Sequence, residues 1–128
     1  MARKFKILLD TSILIAIFQN KINLDTINDA LQANYEILIP SCVVEELKLV
    51  SKKKKEAKAA LRFIREKGFR ILETDEKDVD KFFSNLSGRE FIIATNDRAL
   101  RKLLISKGIK VLFLRQNKYF QMSEGVSI

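Results

Sequence analysis

Asp10 closes a short apolar run, Phe5 to Leu9, and Asp97 follows another, Phe91 to Thr95. Glu45 and Glu46 come after a third run, Tyr35 to Ile39; Asp75, Asp78 and Asp80 come after a fourth, Phe69 to Glu73. An acid at the end of an apolar strand is costly to bury unless it is paired or binds a cation. Acids brought together raise one another's pKa unless a cation neutralises them. The chain has no His and a single Cys, Cys42, so a site built from these residues is all oxygen. Hard divalent ions, Mg²⁺ or Mn²⁺, suit that donor set. Such ions lower the pKa of water and stabilise charge on a phosphoryl group. Each acid also has a plainer role open to it. Asp97 could cap a helix, Asp78 or Asp80 could be first-turn charges favoured by the helix dipole, and Glu45 and Glu46 could be exposed helix residues.

Composition narrows the chemistry further. Without His, Ser-His-Asp and Cys-His catalysis are excluded, as is every His-containing metal site. With one Cys there is no intramolecular disulfide, which suits a reducing cytosol. The formal net charge is +8. Between Lys48 and Arg70 ten basic residues face only two acidic ones, so this segment holds the whole excess. A localised positive face attracts polyanions, nucleic acid first among them. The alternative is a solvated helix face that aids solubility. Lys52, Lys53, Lys54, Lys55, Lys58 and Arg62 are the candidate nucleic-acid contacts. No apolar run approaches the roughly 20 residues of a membrane helix, and no signal-peptide pattern appears. The expectation is a cytoplasmic protein with no membrane partner.

The elements that must position these acids alternate between strand and helix. Strands are expected at Phe5–Leu9, Tyr35–Ile39, Phe69–Glu73, Phe91–Thr95 and Ile109–Leu114. Ser12 can cap a helix to about Phe18, and Leu24, Ile27 and Leu31 predict a second helix over Asn23–Ala33. Helices are also expected over Ser41–Val50, over Lys52–Lys67 with Gly68 as its stop, and over Asp75–Leu86. Another opens at Asn96–Asp97, carries Leu100, Leu103 and Leu104, and ends at Gly108. Residues Arg115 to Ile128 show no period. The pattern predicts an α/β fold, a three-layer α/β/α sandwich around a mostly parallel five-stranded sheet. One domain spans 1–128, with a core of about 5–115 and a C-terminal tail of 116–128. In such sheets ligands bind beyond the carboxyl ends of the strands, the edge where all of these acids fall.

Four segments carry a resemblance. Ile7-Leu8-Leu9-Asp10-Thr11-Ser12, Ile39-Pro40-Ser41-Cys42-Val43-Val44-Glu45-Glu46-Leu47, Ile92-Ile93-Ala94-Thr95-Asn96-Asp97-Arg98-Ala99-Leu100 and Val111-Leu112-Phe113-Leu114-Arg115 resemble, in order, the motifs of PIN-domain nucleases. The likeness runs from Lys6 to Arg115. It implies a metal-dependent endoribonuclease that uses Mg²⁺ or Mn²⁺ and hydrolyses RNA to 5′-phosphate and 3′-hydroxyl ends. The family includes VapC-type toxins and ribosomal-RNA processing endonucleases. Matched motif by motif, Asp10, Glu46 and Asp97 become metal-pocket acids. Thr95 hydrogen-bonds a bridging water or a carboxylate, Asn96 supports its turn, and Ser12 is a further supporting residue.

The family's remaining acid starts a helix before the late Asp. Asp78, 19 residues ahead of Asp97, is the choice, with Asp80 as its alternate and Glu45 as the alternate to Glu46. The helix that follows is small and aliphatic in the family but reads Val79-Asp80-Lys81-Phe82-Phe83-Ser84-Asn85 here. The resemblance implies RNA as partner, together with an antitoxin or a ribosome-assembly partner, and homodimerisation. Tyr119, Phe120 and Met122 could serve that interface or cover the edge of their own sheet. Two readings stand beside the nuclease: a PIN-like module that binds RNA without cutting it, and the toxin of a toxin-antitoxin pair.

Overall fold

In the computed structural model, which describes residues 4–123, the apolar run FKILL forms β1 (Phe5–Leu9). Ile7, Leu8 and Leu9 are all fully buried. Successive strand residues point to opposite faces, so both faces of β1 are covered. β4 (Phe91–Ala94) is the same, with Ile92, Ile93 and Ala94 buried. Two covered faces make the expected three layers.

The remaining strands are β2 (Tyr35–Pro40), β3 (Arg70–Leu72), β5 (Lys110–Arg115) and β6 (Tyr119–Met122). Their order across the sheet is β3-β2-β1-β4-β5-β6. The first five pair in parallel, and β6 pairs antiparallel to β5. The chain builds outward from β1 through β2 to β3, then crosses back to lay β4 on the other side of β1. That reversal is a topological switch point, where such sheets open a crevice for ligands.

Helices join the parallel strands: α1 (Thr11–Gln19), α3 (Ser41–Val50), α4 (Lys55–Lys67), α5 (Val79–Ser84) and α6 (Arg98–Ser106). The stripe Ala57, Ala60 and Ile64 of α4 is buried, and α4 packs on α1 and α3. Gly68, at φ +65°, ends α4 in the left-handed conformation that glycine adopts without strain.

Several elements differ from expectation. Asn23–Ala33 is not one helix: it forms a 3₁₀ turn at Leu24–Thr26 and a single helical turn, α2 (Ile27–Ala30). The Asn23 side chain accepts from Asp25 N, and the Thr26 hydroxyl donates to Asn23 O. Short polar side chains of this kind satisfy the backbone locally and compete with a continuous helix. Ser12 does not cap α1; the Asp10 carboxylate does, accepting from Thr11 N.

α4 begins at Lys55, because Lys53 N and Lys54 N still bond to Val50 O as α3 unwinds. α5 spans six residues between its Asp78 cap and a C-terminal end closed by Lys107, whose Nζ donates to Ser84 O and Leu86 O. Cations are favoured at such carbonyls. Phe83 is fully buried and stacks edge-on against Phe82, so the pair that breaks the family's aliphatic pattern anchors this short helix.

The sheet has six strands. Within the expected tail 116–128, Tyr119–Met122 form β6, and residues 124–128 lie outside the described residues. Phe120 is buried and Met122 packs against the core, whereas Tyr119 stays exposed. Two of the three apolar tail residues therefore cover their own sheet.

Candidate active site

The first acid is placed by β1. Asp10 stands one residue past the strand, its backbone N–H bonded to Ala94 O of β4, and it is buried. Its carboxylate accepts three bonds: from Thr11 N at 2.8 Å, Ser12 Oγ at 2.9 Å and Thr95 Oγ1 at 2.7 Å. Both hydroxyls converge on the same oxygen, Oδ2. Each has one proton to give, so the arrangement is made for an ionised carboxylate. Burial nonetheless holds the Asp10 pKa above the ordinary 3.8; the three donors offset part of that rise, and the Asp97 charge adds to it.

The network then closes on itself. Thr95 Oγ1, fully buried, accepts from Asp97 N at 3.1 Å, and Ser12 Oγ accepts from Asn96 N at 3.0 Å. Asn96 Oδ1 accepts from Leu114 N, tying the turn to β5. Ser12, Thr95 and Asn96 thus clamp the β4–α6 turn onto the β1–α1 turn, across the switch point. Asp97 accepts from Leu100 N and caps α6. Its plainer role and its electrostatic role are both met: it caps a helix, and its charge acts on Asp10.

Glu46 enters from α3. It is half-buried, and its pKa is raised chiefly by burial, then by Asp10, Asp80 and Asp78; the Thr11 hydroxyl opposes the rise. Glu45 belongs elsewhere. It is exposed and pairs with Lys48 Nζ at 2.9 Å. One residue along a helix is a turn of about 100°, so adjacent glutamates face different neighbours.

The acids after β3 are both exposed. Asp78 caps α5 by accepting from Lys81 N, and Asp80 sits in the first turn. Both act on the Glu46 charge, Asp80 more strongly. Asp75 is an exposed loop residue.

The fold therefore brings Asp10, Glu46, Asp78, Asp80 and Asp97 into one field. Among the described residues, no three ligating side chains are drawn together into a ready metal cage. Asp10 is buried and held by three donors, whereas Asp78 and Asp97 are exposed and each held by a single cap bond, and Asp80 is exposed. The chemistry of the set fits a hard divalent ion: the donors are oxygen, two of them have raised pKa values, and among the described residues none forms an ion pair with a basic side chain.

One residue of this site was not singled out by sequence. The Thr11 hydroxyl is buried with no hydrogen-bond partner in good geometry, although it lies near enough to Glu46 to favour its charged form. A buried hydroxyl beside two acids is a further polar group that a site for an oxygen-rich ligand can use. A threonine beside a strand-ending Asp gave no signal of this.

The basic residues sit apart. Lys52, Lys53, Lys54 and Lys55 form the exposed turn between α3 and α4 and the start of α4, and Lys58 and Arg62 are exposed on α4.

Known proteins share this architecture. The PIN domain family model matches residues 7–121. Ribonuclease VapC4 of Methanocaldococcus jannaschii is 35% identical over 126 residues, covering 92% of this chain and 96% of the relative. The solved structure of the PIN domain endonuclease Utp24 superposes with a TM-score of 0.78 at 22% identity, covering 92% of this chain and 90% of that one. The last is a likeness of fold alone. With the family model spanning nearly the whole sheet and a relative matched along almost its full length, the chain belongs to the PIN-domain family.

Proposed function

We propose that this protein is a metal-dependent endoribonuclease. The observation that carries the reading is the Asp10 carboxylate, buried at the switch point, held by three donors and facing other acids without a basic partner. Asp10, Glu46 and Asp97 would hold the ion, with a further acid from the β3–α5 connection, Asp78 or its alternate Asp80. The ion is Mg²⁺ or Mn²⁺; when bound, it activates water and offsets charge on the phosphoryl group.

The protein's own groups do the rest. Thr95, Ser12 and Thr11 N fix the Asp10 carboxylate in place. Asn96 holds the turn that carries Asp97. Glu46 and Asp10, with raised pKa values, keep protons at low pH and release them as the pH rises. Lys52, Lys53, Lys54, Lys55, Lys58 and Arg62 bind the RNA backbone without reading its sequence.

RNA is the substrate, as it is for a relative called a ribonuclease. We further infer a cytoplasmic protein, regulated by an antitoxin or working with a ribosome-assembly partner, and able to form a homodimer. No helix of the described residues is long and apolar enough to cross a membrane.

The test is cleavage of a labelled structured RNA with Mn²⁺, Mg²⁺ or EDTA, by the wild type and by Asp10→Asn. Cutting that needs the ion and disappears in Asp10→Asn, with RNA binding retained, is the expected result. Equal cutting by the variant would overturn the assignment. Tight binding with no cutting in either ion would make the protein an RNA-binding module instead.

A further inference from the structure

A second concavity lies along a neighbouring face of α3. It is a cleft of about 770 Å³ between α3, α4 and β3, within the size range of small-ligand sites. Val44, Leu61, Ile64 and Ile71 form its apolar part. Ile71 lies on β3, at the edge of the sheet, and is 37% exposed. Arg65 and Lys77 also line it, and among the described residues neither forms an ion pair. Lys48 lines it too, but is held by Glu45, and Glu73 is the second acid of the lining, so three basic residues stand against two acidic ones.

The cleft and the acid site share a wall. Glu45 faces the cleft and its neighbour Glu46 faces the acids, so the two lie on adjacent faces of α3, about 100° apart. Both open at the same edge: Ser41 follows β2 directly and Thr74 follows β3, and the two hydroxyls meet at 3.0 Å in the cleft lining.

We propose that this cleft holds an unpaired nucleotide of the RNA, close to the phosphate at the acid site. The occupant is argued from charge and continuity. Lys48 and Arg65 belong to the segment that carries the whole positive excess of the chain, and the exposed Lys52–Lys55 turn leads on from α3. The aliphatic floor takes the face of a base, and the Arg65 guanidinium offers a plane for stacking or a phosphate contact. A base can enter only if it is unpaired, so the cleft selects single-stranded segments. The inference rests on the ribonuclease reading for its substrate class, but its test does not depend on cleavage.

The chain has no Trp, so Ile71→Trp places a sole indole in the cleft. In EDTA, where cutting is suppressed, a short single-stranded RNA should quench that indole to saturation, and the same RNA annealed into a duplex should not. In the wild-type background Arg65→Glu should weaken binding of the labelled single strand about tenfold, the scale of one stacked base. Unchanged emission while anisotropy reports bound RNA, with Arg65→Glu binding as the wild type does, would overturn the proposal. Equal quenching by duplex would overturn it as well. An emission shift that follows protein concentration without RNA would give the cleft to a second copy of the chain and overturn it too. Loss of metal-dependent cutting in the wild type would remove the nuclease reading and leave the quenching result standing.

Discussion

The Thr95 hydroxyl donates to Asp10 Oδ2 at 2.7 Å, joining residues 85 positions apart. Thr95 Oγ1 in turn accepts from Asp97 N. One buried hydroxyl thus orients the first acid and the turn that carries the last. Thr95→Val keeps the shape and removes both bonds. It strands the Asp97 N–H and takes a donor from Asp10, at a cost of about 1–3 kcal/mol. Denaturant unfolding should show that loss, and cleavage should fall with it. Thr95→Ser should recover most of both. A valine variant as active and as stable as the wild type would show that the hydroxyl positions nothing.

The basic turn makes a different kind of prediction. Lys52, Lys53, Lys54 and Lys55 are exposed, and among the described residues none forms an ion pair. Replacing all four with Ala should leave the fold intact, since surface changes of this sort usually cost within about 0.5 kcal/mol each. The effect belongs in binding. For single-stranded RNA each phosphate contact contributes about 0.7 to the slope of log K against log salt. Four lost contacts should flatten the slope by up to about 2.8. An unchanged slope, read from binding over a range of salt, would make the lysines a solvated surface only.

Much of this was legible in the chain. Phe5–Leu9 and Phe91–Ala94 show as strands because burial on both faces demands a continuous apolar run. Once parallel strands are read, the edge where Asp10 and Asp97 fall follows from topology. Distinguishing Glu45 from Glu46 was beyond periodicity, because it depends on which neighbours the two faces of α3 meet. The 3₁₀ turn at Leu24–Thr26 was missed because apolar spacing outvoted the local bonds of Asn23 and Thr26. Thr11 was missed for a further reason: its burial without a partner exists only once Glu46 is packed nearby.

Asp78 and Asp80 are separable by substitution. Asn is as good a cap as Asp, so Asp78→Asn should leave α5 and the melting temperature nearly unchanged. Any loss then reports on the site. Because Asp80 weighs more on the Glu46 charge, Asp80→Asn should weaken Mn²⁺ binding at least as much as Asp78→Asn. Calorimetric titration of both variants decides it. Wild-type affinity in both would remove the β3–α5 connection from the metal site.

The raised pKa values of Asp10 and Glu46 carry a sign. The folded state holds protons at pH values where the unfolded state has released them. The stability these groups contribute is therefore greatest below the ordinary carboxylate range, and it is lost as the pH rises through their folded values. In EDTA, Asp10→Asn should gain in melting temperature relative to the wild type as the pH rises from about 4 to 7. Mn²⁺ should narrow that gap by stabilising the wild type alone. A gap that does not vary with pH would mean that Asp10 is not strained by its charge.

The β5–β6 hairpin makes the last prediction, and it shows why the sixth strand was hidden. Gln116 and Asn117 both have positive φ, +54° and +55°, and Lys118 N bonds to Arg115 O. Turns of this primed kind match the twist of the flanking strands, but they are usually marked by Asn-Gly or Asp-Gly. Here Gln stands at the first position, where a side chain is disfavoured, so no turn signal separates β5 from β6. Gln116→Gly removes the clash of Cβ with the backbone, partly offset by the greater freedom glycine gives the unfolded chain. It should stabilise the protein by about 0.5–1 kcal/mol, read as a higher denaturant midpoint at unchanged m-value. Because Gln116 contacts none of the acids in the hydrogen-bond network of the site, cleavage at low temperature should not change. A lower midpoint would mean that the Gln116 side chain contributes more than its backbone costs.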